Sequence, residues 1–369
     1  MYQFLLRWKQ IMANKIRQRK KSTELNTTSE ATTPLPTTIE PTLPATTALV
    51  LAETNQLVAI DEATTPAIAI QESADGAASE NTAPTVSQQF SNWCLANHQW
   101  SVMAEAVVGL THRDKNLPCQ DAVACQTVPR TCLVVCDGAG SSVLSELGAN
   151  ALCQGLSLLC HSLEALWHEL LDNEATNDSL LNTLTRIVLR HAKGIMQNLA
   201  TTHKREVRDF RSTLLMLVVG KAHLFWLKVG DGALVVEQIE HRFSQPALPS
   251  DGLVPVLKTL GELGKGEFAN QTTFVDDALK FSDVQYGLYG SQYLTGFAAM
   301  SDGAAEKLVS LNQQQVAGRI SQWFDALRQQ RLSRKTLTQA FYGEDFNKNS
   351  TGDDRSIALA ACGYDVTNL

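Results

Sequence analysis

Four short acidic segments beside apolar runs are the feature that most constrains how this chain folds. The segments are Gln120-Asp121, Cys136–Gly140, Ser301–Gly303 and Gly352–Asp354. An apolar run ends at Cys136–Gly140, and another ends directly before Ser301–Gly303. Gly352–Asp354, in contrast, lies before an apolar run. A strand that ends beside a glycine lets a carboxylate project from a rigid sheet while the backbone turns away. Several carboxylates that meet at one place repel each other unless a cation lies between them, and Mg²⁺ or Mn²⁺ takes oxygen ligands of this kind.

The composition agrees with a soluble enzyme and argues against several other classes of protein. A formal charge of −7 argues against nucleic-acid binding by the body of the protein. No apolar run approaches the roughly 18 residues of a membrane span, and the first few residues lack a signal-peptide core. The chain has eight cysteines, which lie mostly inside apolar segments and form no Cys-x-x-Cys pair. A structural zinc site is therefore not expected, and buried reduced thiols indicate a cytoplasmic protein.

The N-terminal part of the chain predicts two segments without a catalytic role. Residues 1–22 alternate basic and apolar side chains at roughly helical spacing. This pattern favours either a helix that docks on a membrane surface or a partner, or a solvated tail. Residues 23–89 are rich in Thr, Pro, Ala and Glu and contain no Lys or Arg. Such a stretch cannot offset its ordering entropy with a core, so we expect a disordered acidic linker before a globular domain at residues 90–369.

Within that domain the hydrophobic pattern predicts strands, then helices, then further strands. Strands are expected over residues 100–108, 122–126, 131–136, 212–219, 223–229, 233–238, 297–301 and 355–362. Helices are expected over about residues 144–171, 178–202, 303–309, 313–331 and 334–342. Residues 240–292 are rich in Gly, Pro and Asp and are expected to be irregular. This order is typical of a layered α+β fold with helices on the faces of a β-sandwich.

Six short motifs, in order along the chain, carry a resemblance to a known family. They are Gly109–Asp121, Val135–Gly140, Ser212–Leu214, Val229–Gly232, Ser301–Gly303 and Gly352–Ser356. Together they resemble the metal-dependent protein phosphatases of the PP2C (PPM) family, in a divergent bacterial form, over about residues 100–363. Any one of them is weak, because Asp-Gly is a common turn dipeptide, whereas the set in this order is specific. The resemblance implies a four-layer αββα sandwich with a variable flap at about residues 242–293.

The resemblance also implies hydrolysis of phosphoserine or phosphothreonine esters on proteins. Two metal ions about 4 Å apart lower the pKa of a bridging water and neutralise the phosphoryl oxygens. The catalytic residues implied are Asp121, Asp137, Asp302 and Asp353. The implied ligands of two Mn²⁺ or Mg²⁺ ions, with a third and weaker site at Asp231, are Asp121, Asp137, Gly138, Asp231, Asp302 and Asp353. In this reading Asp137 bridges the two ions and the Gly138 carbonyl is a further ligand, while Asp121 holds metal-bound water.

The sequence departs from the family pattern at several positions, one of which is the expected phosphate-binding arginine. The arginine that the family has five residues before its first aspartate is replaced here by Asn116, so Arg113 is preferred as the phosphate-binding residue, with His112 as a second candidate. Asp354 stands where the family often has Asn, and is either an acceptor behind the metal ligands or a solvated turn residue. Gln120 replaces an acidic residue, and Ala139 replaces a histidine that is a candidate general acid.

Three hypotheses follow from these observations. The first is a cytoplasmic Mn²⁺- or Mg²⁺-dependent Ser/Thr phosphatase that acts on phosphorylated proteins and opposes a bacterial Ser/Thr kinase. The second is an inactive pseudophosphatase that binds phosphoproteins, which the residues Gln120 and Ala139 suggest and the retained aspartates oppose. The third, compatible with both, is a regulator held at a membrane or a partner through residues 1–22. None of them includes a nucleic-acid partner.

Overall fold

The computed structural model describes residues 99–242, 252–262, 272–310 and 315–363. Their strands are β1 Trp100–Val107, β2 Asp121–Gln126, β3 Cys132–Asp137, β4 Leu214–Val219, β5 His223–Val229, β6 Ala233–Arg242, β7 Gly252–Leu260, β8 Gln285–Gly290, β9 Leu294–Met300, β10 Val309–Ser310, β11 Gln315–Val316 and β12 Arg355–Cys362. Two antiparallel five-stranded sheets form, one in the order β1-β12-β9-β6-β7 and the other in the order β2-β3-β4-β5-β8. β10 and β11 pair separately. The expectations for residues 1–98 lie outside the described residues.

Eight helices accompany these strands in the described part of the chain. They are α1 Leu110–Asp114, α2 Ser145–Ser162, α3 Glu164–Leu171, α4 Asp178–His203, α5 Asp302–Leu308, α6 Arg319–Arg328, α7 Arg334–Phe341 and α8 Glu344–Asn347. Short 3₁₀ turns occur at Val207–Phe210 and Phe281–Asp283. Among the residues that the structure describes, no helix combines the length and apolar character needed to cross a bilayer.

Three apolar cores separate four layers. One core lies between α2–α4 and the β2-β3-β4-β5-β8 sheet, a second between α5–α8 and the other sheet, and the third between the two sheets. The alternation of β3 shows how one strand serves two cores: Val134 and Cys136 face the helices, whereas Leu133 and Val135 face the other sheet. The αββα sandwich expected from the sequence is therefore confirmed.

Where the structure describes residues 240–292, the expectation that they are irregular was wrong, because β7 and β8 form there. Both are edge strands, which explains their weak sequence signal. Pro255 in β7 lacks an N–H, and an edge strand tolerates this because one side has no partner. Gly287 in β8 lies against the Trp226 ring, where a Cβ would be 3.0 Å from ring atoms. Close packing against a large aromatic thus replaces the β-branched pattern that usually identifies a strand.

A buried arginine ties the β2–β3 connection to α3. Arg130 is 8% exposed, and its Nε and Nη2 donate to Glu164 at 3.2 and 2.8 Å. Its Nη1 and Nη2 donate to Asp172 at 2.8 and 3.0 Å. Burial alone would raise the pKa of Asp172, but hydrogen bonds from Arg130 and from the Lys221 N–H hold that pKa at about 2. The ion pairs therefore fix one end of the helical layer to its sheet.

The Asp172→Asn variant is expected to lose about 1 to 2 kcal/mol of unfolding free energy at neutral pH. Because folding lowers the pKa of Asp172 below its ordinary value of 3.8, its stabilisation is complete above about pH 4 and is lost as the pH falls toward 2. Urea unfolding of both proteins, from pH 7 down to the lowest pH at which wild type folds, measures this. Glu169→Gln, an exposed neighbour on α3, is the matched control. A difference in unfolding free energy between wild type and Asp172→Asn that does not change with pH would show that the Asp172 charge does not stabilise the fold.

Candidate active site

Two of the predicted carboxylates lie side by side on neighbouring strands. Asp121 is the first residue of β2 and Asp137 is the last residue of β3, and the antiparallel register places them directly opposite each other. Strand alternation directs both side chains toward the space between the sheets. Opposite residues of an antiparallel pair have Cβ atoms about 5 Å apart, so the two carboxylates repel each other.

The other two predicted carboxylates come from the second sheet. Asp302 begins α5 directly after β9, and Asp353 lies just before β12. β9 and β12 are antiparallel neighbours, and the backbone N–H of Ser301 donates to the Ser356 carbonyl at 3.1 Å. Gly303 allows these segments to meet, because a Cβ there would lie 2.1 Å from the Asp354 carbonyl oxygen. Both sheets thus bring acidic residues to the same end of the sandwich.

The pKa shifts of the buried aspartates indicate that the four carboxylates lie close enough to interact. Burial raises the pKa of Asp137 well above its ordinary value, and the nearby charges of Asp121, Asp302 and Asp353 raise it further. Burial also raises the pKa of Asp121, which the hydroxyls of Ser301 and Ser356 lower in part and the charges of Asp354 and Asp302 raise again, to about 8. Burial is the largest cause of both shifts, and the charges of the neighbouring carboxylates add to it.

The chemistry of this cluster fits a divalent cation. Its donors are carboxylate oxygens, which Mg²⁺ and Mn²⁺ prefer. The buried Oδ2 atom of Asp121 makes no hydrogen bond of ordinary geometry, although two hydroxyls lie near the carboxylate. Within the described residues, however, no three His, Cys, Asp or Glu side chains are already gathered as ligands around one point. Carboxylates from both sheets thus lie toward one end of the sandwich, and their role as ligands of a metal ion stays a prediction.

Asp354 is a buried acceptor and not a solvated turn residue. Its side chain is 2% exposed, and its Oδ1 accepts a hydrogen bond from the Gly109 N–H at 2.6 Å. Its Oδ2 accepts from the Gln120 N–H at 2.6 Å and lies 2.8 Å from Nδ1 of His112. One carboxylate thus joins the start of β12 to both ends of the segment that leads into Asp121. Of the two readings left open by the sequence, the structure supports the first.

The two candidate phosphate-binding residues lie on α1 but point to different neighbours. His112 is largely buried and bonds to Asp354, whereas Arg113 is exposed. The Arg113 guanidinium lies over the Tyr342 ring, 5.5 Å from its centre. Phosphate binding by either residue stays a prediction.

The remaining predicted ligands are Gly138, which directly follows β3 and bridges Ser212, and Asp231. The Gly138 N–H donates to the Gln120 carbonyl at 3.1 Å, and a Cβ on Gly138 would lie 2.8 Å from that oxygen. Only glycine therefore fits beside Asp137. Asp231 lies between β5 and β6, where the Thr272 hydroxyl donates to its Oδ2 at 2.9 Å. The structure thus keeps Gly138 next to the cluster, and places Asp231 in a hydrogen-bonded turn whose metal role stays a prediction.

Two hydroxyl residues hold Asp137 in place, a role that the sequence did not reveal. The Ser212 hydroxyl donates to the Asp137 carbonyl at 2.9 Å, and the Asp137 N–H donates to the Thr213 hydroxyl at 2.9 Å. The Thr213 N–H donates to the same carbonyl at 2.8 Å. Serine and threonine are ordinary in strands, so only the pairing of this segment with the end of β3 identifies them.

Comparisons with known proteins identify the family of the chain. A family model for protein phosphatase 2C matches residues 108–341, and the chain belongs to the protein phosphatase 2C family. Serine/threonine-protein phosphatase 3 of Escherichia coli strain K12 is 28% identical over 185 residues, which are 48% of this chain and 63% of that protein. The chain therefore spans somewhat less than two thirds of this curated relative.

Solved structures of bacterial phosphatases are also similar. A bacterial serine phosphatase matches 73% of this chain and 100% of its own, with 13% identity and a TM-score of 0.47. Stp1 from Staphylococcus aureus matches 73% of this chain and 97% of its own, with 13% identity and a TM-score of 0.46. The serine/threonine phosphatase PstP of Mycobacterium tuberculosis matches 72% of this chain and 99% of its own, with 12% identity and a TM-score of 0.43.

Proposed function

We propose that this protein hydrolyses phosphoserine and phosphothreonine esters on proteins with two bound Mn²⁺ or Mg²⁺ ions. The observation that carries the proposal is the meeting of Asp121, Asp137, Asp302 and Asp353, from both sheets, at one end of the sandwich. Membership of the protein phosphatase 2C family supports it. The named relative is a serine/threonine-protein phosphatase, and we extend that substrate class to this chain. The protein would then oppose a Ser/Thr kinase.

Each carboxylate of the cluster has its own role in the proposed binding of the metal ions. Asp137, which lies opposite Asp121, would hold the metal ions together with the Gly138 carbonyl. Asp302 and Asp353 would complete the ligands from the other sheet, and Asp121 would accept hydrogen bonds from water held at the ions. Asp231 would serve a third ion. When bound, the ions supply activation of water and neutralisation of phosphoryl charge.

The protein's own contribution is to hold its carboxylates in fixed places. Ser212 and Thr213 bind the backbone of Asp137, and Asp354 fixes the segment that ends in Asp121. Because these supports are made before substrate arrives, little reorganisation is needed during the reaction. Ala139 is buried and offers no side-chain proton donor, so protonation of the leaving oxygen would come from water.

Capture of the substrate phosphate by Arg113 and His112 also remains part of the proposal. A guanidinium can donate two parallel hydrogen bonds to a phosphate.

The described cysteines are all free thiols, which agrees with the proposed cytoplasmic location.

Hydrolysis of a phosphothreonine peptide by the full chain, with Mn²⁺, Mg²⁺ or EDTA, tests the proposed function. We expect phosphate release with either metal ion and none with EDTA. A folded protein that binds the phosphopeptide without releasing phosphate under any of these conditions would instead be a phosphoprotein-binding module. Release that continues in EDTA would contradict the role given to the carboxylates.

A further inference from the structure

Arg211 lies on the same sheet face as the acidic cluster. It directly precedes Ser212, whose backbone bridges Gly138 on one side and Val275 on the other. This bridge places Arg211 opposite Ala139, and the Ala139 N–H donates to the Arg211 carbonyl at 2.9 Å. Since strand side chains alternate, Arg211 projects to the face that also carries Asp137.

The Arg211 guanidinium is held between two neighbours, and neither of them is a carboxylate. Its Nη2 donates to the Ser141 hydroxyl at 3.1 Å, and its centre lies 5.4 Å from the Phe274 ring. Its Nε is buried and makes no hydrogen bond to any residue that the structure describes. No carboxylate in the described ranges forms an ion pair with it. A half-buried cation with an unused donor, placed beside an acidic cluster, is suited to bind an anion that approaches that cluster.

The side chain of Arg211 is long enough to reach the acidic cluster at Asp137. Asp137 lies opposite Thr213, so Arg211 is its diagonal neighbour across the strand pair. Diagonal neighbours have Cβ atoms about 7–8 Å apart, which long side chains can span. A phosphoryl group held beside Asp137 would therefore lie within reach of the guanidinium. Arg113, in contrast, leaves from α1 and lies over Tyr342.

We propose that Arg211 is a substrate-contacting residue whose guanidinium donates hydrogen bonds to the phosphoryl oxygens of the phosphoprotein. This inference rests on the proposed phosphatase function. The planar guanidinium matches two phosphate oxygens at once, which an ammonium group cannot do. Arg211 therefore supplements the two candidates on α1 with a cation that directly precedes the bridge between Ser212 and Gly138.

Kinetics of full-chain variants with Mn²⁺ test the role of Arg211. The substrates are p-nitrophenyl phosphate, which offers only the phosphoryl group, and a phosphothreonine peptide. We expect Arg211→Met to raise KM, and the inhibition constant of inorganic phosphate, by about 10- to 100-fold with both substrates. Arg211→Lys should recover part of the loss, and serves if Arg211→Met fails to fold. Arg208→Ala, on the same segment but exposed and paired with Glu206, should behave as wild type.

Three kinetic results would overturn the inference. Unchanged KM and phosphate inhibition in Arg211→Met would show that the guanidinium does not contact substrate. Losses confined to the peptide would assign Arg211 to another part of the substrate. If Ser141→Ala, which removes the hydrogen bond but keeps the cation, reproduces the losses, Arg211 acts by supporting the loop after Asp137.

Calorimetric binding of inorganic phosphate in Mn²⁺ separates this inference from the proposed function. If wild type shows no turnover, the phosphatase function fails, and binding still tests Arg211. Weaker binding by Arg211→Met than by wild type would then support the contact with phosphate. Equal binding by the two proteins, or no binding by wild type, would overturn it.

Discussion

Replacement of Asp137 by asparagine is expected to lower metal-dependent turnover by at least about 10³-fold, equivalent to about 4 kcal/mol of transition-state stabilisation. Asp137 lies directly opposite Asp121 on the neighbouring strand, and its pKa is raised by burial and by Asp121, Asp302 and Asp353. Asparagine keeps the shape of the side chain but removes the charge that an ion at the centre of the cluster needs. Initial rates with p-nitrophenyl phosphate across a Mn²⁺ titration measure the loss.

The same variant should fold as well as wild type. Without metal, Asp137 is repelled by its acidic neighbours, so removing its charge does not destabilise the metal-free protein. Thermal unfolding in EDTA is therefore expected to give a Tm at or above that of wild type. Asp277→Asn, an exposed aspartate outside the cluster, is the matched control and should retain full activity. Turnover of Asp137→Asn within a few-fold of wild type would remove Asp137 from the mechanism.

Replacement of Asp354 by alanine is expected to lower the unfolding free energy by about 3 kcal/mol and to reduce activity as well. The change leaves the Gly109 and Gln120 N–H groups, and the His112 ring, without their acceptor. Each buried donor left without a partner costs about 1–3 kcal/mol. Activity should fall because Gln120 is adjacent to Asp121, whose position depends on the same hydrogen bonds. Urea unfolding in EDTA and initial rates in Mn²⁺ measure the two effects.

Asp354→Asn distinguishes loss of an acceptor from loss of a charge. Asparagine keeps one oxygen, so it can still accept from one of the two backbone N–H groups. We expect its stability to lie between those of wild type and Asp354→Ala. Equal stability of wild type and Asp354→Ala would show that these hydrogen bonds do not hold the first motif in place.

The sequence predicted the parts of the site that local patterns encode. Asp137 and Asp302 follow apolar strands and precede glycines, and both lie where those patterns placed them. The layered fold followed from the order of strands and helices, because each long apolar run has one dominant period. The edge strands β7 and β8 were not predicted from the sequence. Each pairs with one neighbouring strand only, and a proline and glycines interrupt the hydrophobic pattern.

The supporting residues could not be predicted, because their roles depend on register between distant segments. Asp354 acts on Gly109, 245 residues away, and nothing near it in sequence indicates that partner. Arg211 stands in a polar turn that resembles any solvated segment. Its position on the face of Asp137 is visible only once Ser212 is paired with Gly138.

Anomalous diffraction at the manganese absorption edge, from crystals of the full chain grown with Mn²⁺, tests the central claim most directly. The account predicts two peaks about 4 Å apart, both in contact with Asp137 and flanked by Asp302, Asp353 and the Gly138 carbonyl. Peaks elsewhere on the protein, or none at the carboxylate cluster at saturating Mn²⁺, would contradict it.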